Sequence, residues 1–255
     1  MRLLVPLHLS TLTAISDGFL SPHFSVSISA FPVYSSTLNS IKTMDDEAIL
    51  SLPMFIDESK QLNERPKTAL SPEEMITISK RFLASKGGIG GDPEMLSSYF
   101  TFEGPVVGPL SKEEFVGAIG SVDFNAAFPD FKNEFYGFHV DPFEGNRVWY
   151  TARGRGKNTG PLVPFVPEES GTGKMVINPP QVCSITIDHS TGLISKYTIG
   201  YVVDRTVGNT GGLGGLYGIL YSLGRPLPFP EANPWQKSFQ YDIFQKLGSL
   251  INKLK

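Results

Sequence analysis

The side chains best suited to chemistry lie between Phe115 and Asp204. His139 sits mid-strand in Phe138-His139-Val140, and an imidazole titrates near neutrality, so it is the first candidate for a general base. Asp204 and Asp123 are the carboxylate alternatives. Strand alternation puts Tyr197, Ile199, Tyr201 and Val203 on one face of the last strand, and Val148, Tyr150 and Ala152 on one face of an earlier strand. These tyrosine-bearing faces are assigned to the interior, where phenolic hydroxyls would hydrogen-bond a ligand carbonyl. Buried tyrosines satisfied by backbone groups are the competing reading. Phe115 and Trp149 complete the candidate substrate-binding set. A base beside an acidic C–H, with a donor for the enolate oxygen, would serve aldol cyclisation or isomerisation.

Other features point to less chemistry. Arg153 and Arg155 are one strand step apart beside Trp149, a spacing that would hold a carboxylate or phosphate but equally suits a solvated outer face. The run Gly208 to Gly215 precedes a helix, as a phosphate loop would. Leu216 and Tyr217 stand where that loop needs Lys and Ser or Thr, so a hinge is expected instead. Cys183 is the lone cysteine, which excludes an intramolecular disulfide and a multi-cysteine zinc site. Outside the leader only His139 and His189 remain, and no spacing supports a metal, so neither metal nor cofactor is expected. His189, in the turn Asp188 to Gly192, reads as a turn residue. The net charge of −3 and the absence of a basic block argue against nucleic acid as a partner.

The elements that must position these residues follow from caps and punctuation. Ser71-Pro72-Glu73-Glu74 is a strong helix start, with Met75, Ile78 and Phe82 as the apolar stripe and Gly87-Gly88 as the stop. Asp92-Pro93-Glu94 predicts a short second helix through Phe100, and Ser111-Lys112-Glu113-Glu114 a third through Ile119. Residues 103–109 are expected to be a loop. Four strands are predicted: Phe131 to Val140, Arg147 to Arg155, Val182 to Ile187 and Leu193 to Val203. Residues 156–180, rich in Gly and Pro, read as a long insertion of the kind that forms lids or docking surfaces. Residues 208–255 add the Gly-rich hinge, a helix from Leu216 to Leu223 and a second from 237 to 255. That last helix carries Phe244, Leu247, Ile251 and Leu254 on one face. It would cover its own domain, or else meet a protein or a membrane surface.

Residues 1–43 differ from the rest. Arg2 opens a weakly apolar run, Ser and Thr abound, and Asp17 is the only acid before Asp45, as in a targeting leader. Ser29-Ala30-Phe31-Pro32 resembles the Ala-Phe-Ala-Pro type junction of plastid preproteins in algae with secondary plastids. Plastid localisation is the expectation, with a cytoplasmic protein starting near Met44 as the alternative. Residues 44–70 form a charged lead-in, and 71–207 the main domain.

Helix, then Ala127-Phe128-Pro129-Asp130-Phe131, then strands resembles the SnoaL-like polyketide cyclase group of the NTF2-like superfamily over roughly residues 75–205. Asn146 to Gly154 resembles its central strand after a hairpin, and Asp188 to Ile194 the turn before its last strand. The resemblance implies an α+β cone, short N-terminal helices packed on a curved antiparallel sheet, with C-terminal helices beyond it. It implies an apolar small molecule in a cone-shaped pocket and cofactor-free isomerase, cyclase or hydratase chemistry. A non-catalytic pigment-binding, lipid-binding or docking module is the alternative. Many relatives dimerise through the sheet, so a homodimer is a further expectation. Catalytic members tend to carry a carboxylate on the last strand, whereas this chain reads Ile194-Ser195-Lys196-Tyr197-Thr198-Ile199-Gly200-Tyr201 there.

Overall fold

Two capping boxes set the helices that hold the sheet. Ser71 accepts from Glu74 N while the Glu74 carboxylate accepts from Ser71 N, starting α3 (Pro72–Ala84); Ser111 and Glu114 repeat the arrangement at α4 (Lys112–Gly120). The computed structural model describes residues 45–65, 70–236 and 238–253. The leader lies outside the described residues. The chain divides after Asp57 into two compact units. In the first, Asp45 caps α1 (Asp46–Leu50) by accepting from Ala48 N at 2.7 Å. The second begins with α2 (Glu58–Asn63) and holds everything else.

Its sheet contains β1 (Leu96–Gly104), β2 (Val107–Ser111), β3 (Lys132–Val140), β4 (Arg147–Lys157), β5 (Met175–Ile177), β6 (Gln181–Ile187) and β7 (Ile194–Val202). The spatial order is β2-β1-β7-β6-β4-β3, with β5 on β4 beyond the end of β6. The sheet is curved and unclosed, and helices pack on it to give the expected α+β cone. The pairs are antiparallel except β1 with β7, which run parallel.

Two expectations fail at the start of the sheet. Asp92-Pro93-Glu94 caps only a single tight turn, Pro93–Met95, and the predicted second helix is strand β1 instead. Tyr99, Phe100, Thr101 and Phe102 favour extended backbone, and pairing with β7 satisfies a whole edge that a short helix would leave open. Part of the expected loop is also a strand: β2 pairs with β1 at the sheet margin, where Pro109 costs no interior ladder bond.

Two apolar clusters stabilise the unit. The larger joins α3 and α4 to the inner sheet face through Met75, Phe82, Phe115, Tyr150, Ile185 and Tyr197. The second joins Phe128, Leu162, Val166 and Val176 to Ile219, Leu220 and Leu223 of α6 (Gly215–Leu223). Burial of each such side chain stabilises by roughly 1.5–3 kcal/mol. Segment 156–180 is therefore a second core layer under α6 rather than a free lid. Its hub is Asn158, fully buried: its amide donates to Ala127 O and Gly160 O, and its Oδ1 accepts from Thr172 N and Oγ1. The glycine-rich run is moored as well. Asn209 Oδ1 accepts from Ile177 N and its Nδ2 donates to Met175 O, while Thr210 is buried and donates to Leu213 O.

The last helix, α7 (Phe239–Lys253), departs from the expected self-docking. Every apolar side chain from Phe239 to Ile251 is exposed.

Candidate functional site

Between the concave sheet face, α4, the β1–β2 turn and the start of α6 lies a cavity of about 820 Å³. Its floor is Tyr150, Cys183 and Tyr197; its walls include Phe102, Phe115, Phe135 and Ile199. The tyrosine rings are fixed by neighbours. Phe138 stacks on Tyr150 at 5.2 Å, Phe82 meets Tyr197 edge-on at 5.1 Å, and Phe115 stacks on Phe102 at 4.7 Å. The Tyr150 hydroxyl donates to that of Tyr197 over 3.3 Å.

Burial dominates the electrostatics. It pushes the Tyr150 and Tyr197 hydroxyls well above the ordinary phenol range, the ionisable groups packed beside each raising it further, and lifts the Cys183 thiol to about 11. All three stay neutral near pH 7, so they are hydrogen-bond donors rather than bases or nucleophiles. Gln181, at the edge of the floor, accepts from Gly215 N with its Oε1 at 2.9 Å, which ties the start of α6 to β6.

Two strand irregularities decide which predicted residues enter this cavity. In β3, Tyr136 pairs with Thr151 but His139 pairs with Trp149, so Gly137 and Phe138 together oppose Tyr150. Gly137 has φ +70°, a backbone open to glycine at no steric cost. The extra residue turns Phe138 inward and His139 out. In β7, Thr198 pairs with Ser184 but Tyr201 pairs with Val182, so Ile199 and Gly200 (φ +88°) share one partner position. Tyr197 and Ile199 remain inside, whereas Tyr201 shifts to the Val182 face at the cavity rim and is 43% exposed.

The predicted set is thus divided. Tyr150, Tyr197 and Phe115 meet at the cavity. His139 is exposed on the opposite face, its Nδ1 2.9 Å from Gly137 O, in a shallow hollow of about 280 Å³ shared with Trp149, Thr151 and Val182. Trp149 lies half-buried there, its indole donating to Asp141 at 2.7 Å and the Arg147 guanidinium covering its ring at 3.9 Å. Asp204 is exposed in a turn, accepting from Thr206 N and Oγ1, bonds that lower its carboxyl below the usual range. Asp123 caps α5 (Phe124–Ala127) by accepting from Ala126 N. Arg155 is exposed and pairs with Glu134 at 3.3 Å, whereas Arg153 is half-buried, donates to the Tyr136 hydroxyl and is among the residues that line the cavity.

Sequence reasoning passed over Gln181 and Cys183. Their signal was available: Gln181, Cys183, Ile185 and Ile187 alternate along β6, and all four are buried. Among the described residues, no group of three or more His, Cys, Asp or Glu is placed to hold a metal ion.

No protein-family model matches the chain, and no curated protein matches it. Among solved structures it is similar to a SnoaL-like polyketide-cyclase protein of Jannaschia sp. CCS1, at 15% identity and a TM-score of 0.43 over 64% of this chain and 99% of the other. A phenazine-biosynthesis-related protein of Pseudomonas aeruginosa is similar at 18% identity and a TM-score of 0.39, over 70% and 93%. An LEH-like epoxide hydrolase of M. tuberculosis is similar at 12% and 0.36, over 50% and 82%.

Proposed function

We propose that the cavity binds an apolar small molecule carrying a carbonyl or hydroxyl oxygen, and holds it without turnover. The observation that carries this reading is the Tyr150–Tyr197 pair with Cys183 on the floor of a cavity walled by aromatic and aliphatic side chains. A volume near 820 Å³ suits a ligand of drug size or larger. Buried neutral donors would orient an oxygen there, and apolar walls would supply most of the affinity.

Enolate-type chemistry would need a base within reach of the bound molecule. Neither His139 nor Asp204 lines the cavity; the carboxylate that does, Glu231, is an exposed residue, and the buried floor offers phenol and thiol groups held neutral. That distribution favours retention over catalysis.

Mass spectrometry of small molecules released from natively purified protein tests the proposal. An apolar oxygenated compound, recovered unchanged and depleted from Tyr197→Phe, is the expected result. Recovery of a converted product, with conversion abolished in His139→Ala, would overturn it in favour of an enzyme.

Residues 1–43 are further proposed to direct plastid import, a reading supported by their composition and by Ser29-Ala30-Phe31-Pro32. A fluorescent fusion of residues 1–44 should enter plastids; a cytosolic signal would end the idea.

A further inference from the structure

The terminal helix α7 leaves its apolar stripe uncovered. Phe239, Ile243, Leu247 and Leu250 follow one another at helical steps of three and four, with Phe244 and Ile251 beside them. Each is at least 44% exposed, although a soluble helix normally turns such a stripe into a core. No helix of the described residues is long and apolar enough to cross a membrane, so the stripe is suited to a surface rather than a span.

Charge selects the occupant. Residues 236–255 hold four lysines (237, 246, 253, 255) against one aspartate (242), a net of +3 in a chain whose total is −3. Lys246 is exposed on the helix that carries the stripe. A hydrophobic protein partner would be served by the stripe alone. An apolar stripe carried on a locally cationic segment fits the boundary of an anionic bilayer, where the rings enter the acyl region and the ammonium groups stay at the phosphates. Trp235, four residues before α7, is 82% exposed and lines the cavity mouth. Indole rings favour the same interfacial depth.

We infer that α7 docks on the surface of an anionic lipid bilayer through Phe239, Phe244, Leu247 and Ile251, holding the cavity mouth at Trp235 near that surface. An apolar ligand would then pass between bilayer and cavity with little exposure to water. The docking stands on the exposed stripe and its charge, and does not depend on what the cavity holds.

Co-sedimentation of the full chain with vesicles of phosphatidylcholine alone, or mixed with phosphatidylglycerol, tests this. Expected are binding to the mixed vesicles that falls at least about tenfold with raised salt or with Lys246→Glu, and loss of binding in the triple variant Phe244→Ala, Leu247→Ala, Ile251→Ala. These side chains are exposed, so the triple variant should keep its fold by circular dichroism and its cavity ligand by mass spectrometry. Absence of binding to either vesicle, or undiminished binding by the triple variant, would overturn the inference. So would a dimer lost in that variant in the absence of lipid, which would make the stripe a contact between copies.

Discussion

Tyr150 and Tyr197 come from strands that are not neighbours, β4 and β7, yet their hydroxyls meet at 3.3 Å across the intervening β6, above Cys183. The contact spans the concave face of the sheet and provides its polar floor. Removing one hydroxyl while keeping the ring separates ligand recognition from packing. Tyr197→Phe should lower the affinity for an oxygenated ligand by about tenfold and cost about 1 kcal/mol of stability. Isothermal titration and urea unfolding of the same variant measure both, and an unchanged affinity would exclude the floor as the recognition point.

The bulge at Gly200 also creates the seat for the chain that follows. A methyl added at Gly214 would fall 2.0 Å from the Gly200 carbonyl oxygen, so backbone must move to accommodate it. Gly214→Ala should destabilise the fold by more than about 2 kcal/mol. Protease sensitivity between residues 205 and 215 should rise in step, and a variant as stable as the parent would refute the close packing of these two strands of chain.

The buried Asn158 side chain makes four hydrogen bonds at once. Its replacement by Ala should cost roughly 2–4 kcal/mol, because Gly160 O and Thr172 N lose their bonds to the side chain inside this layer, whereas Ala127 O keeps those from Thr159 N and Gly160 N. Limited proteolysis should then cut first within 158–173. Wild-type resistance in Asn158→Ala would mean that the apolar layer under α6 suffices by itself.

The turn before β7 predicts a pH response. His189 Nδ1 accepts from Leu70 N at 3.2 Å, and the Arg65 guanidinium lies 3.3 Å from its other nitrogen. Partial burial first, and Arg65 second, lower the imidazole below its usual 6.5, opposed by Asp188. The unfolded chain therefore takes up the proton more readily than the folded one. The stabilisation is present above pH 6.5 and is lost as pH falls through the lowered folded value. Asp188, lowered chiefly by its bonds from Ser190 and Tyr99, acts in a separate window below the ordinary carboxyl range. Urea midpoints should decline between about pH 7 and pH 5, and His189→Gln should flatten that decline. An identical slope in the variant would assign the response to other groups.

Local chemistry in the sequence was enough to determine the helices α3, α4 and α6, the four long strands and the inward course of Tyr150 and Tyr197. Ser–Glu caps and period-two alternation act over a few residues and need no partner to be legible. The tertiary structure alone decided the rest. Leu96 to Phe102 is a strand because β7 lies alongside to take its hydrogen bonds, a contact nearly a hundred residues away. His139 faces outward and Tyr201 stands at the cavity rim because single extra residues at Gly137 and Gly200 reverse the alternation, and a bulge exists only relative to its partner strand. Segment 156–180 is a core layer because α6 returns to cover it. Composition marked that segment as irregular; which surface it would bury depended on where the chain went next.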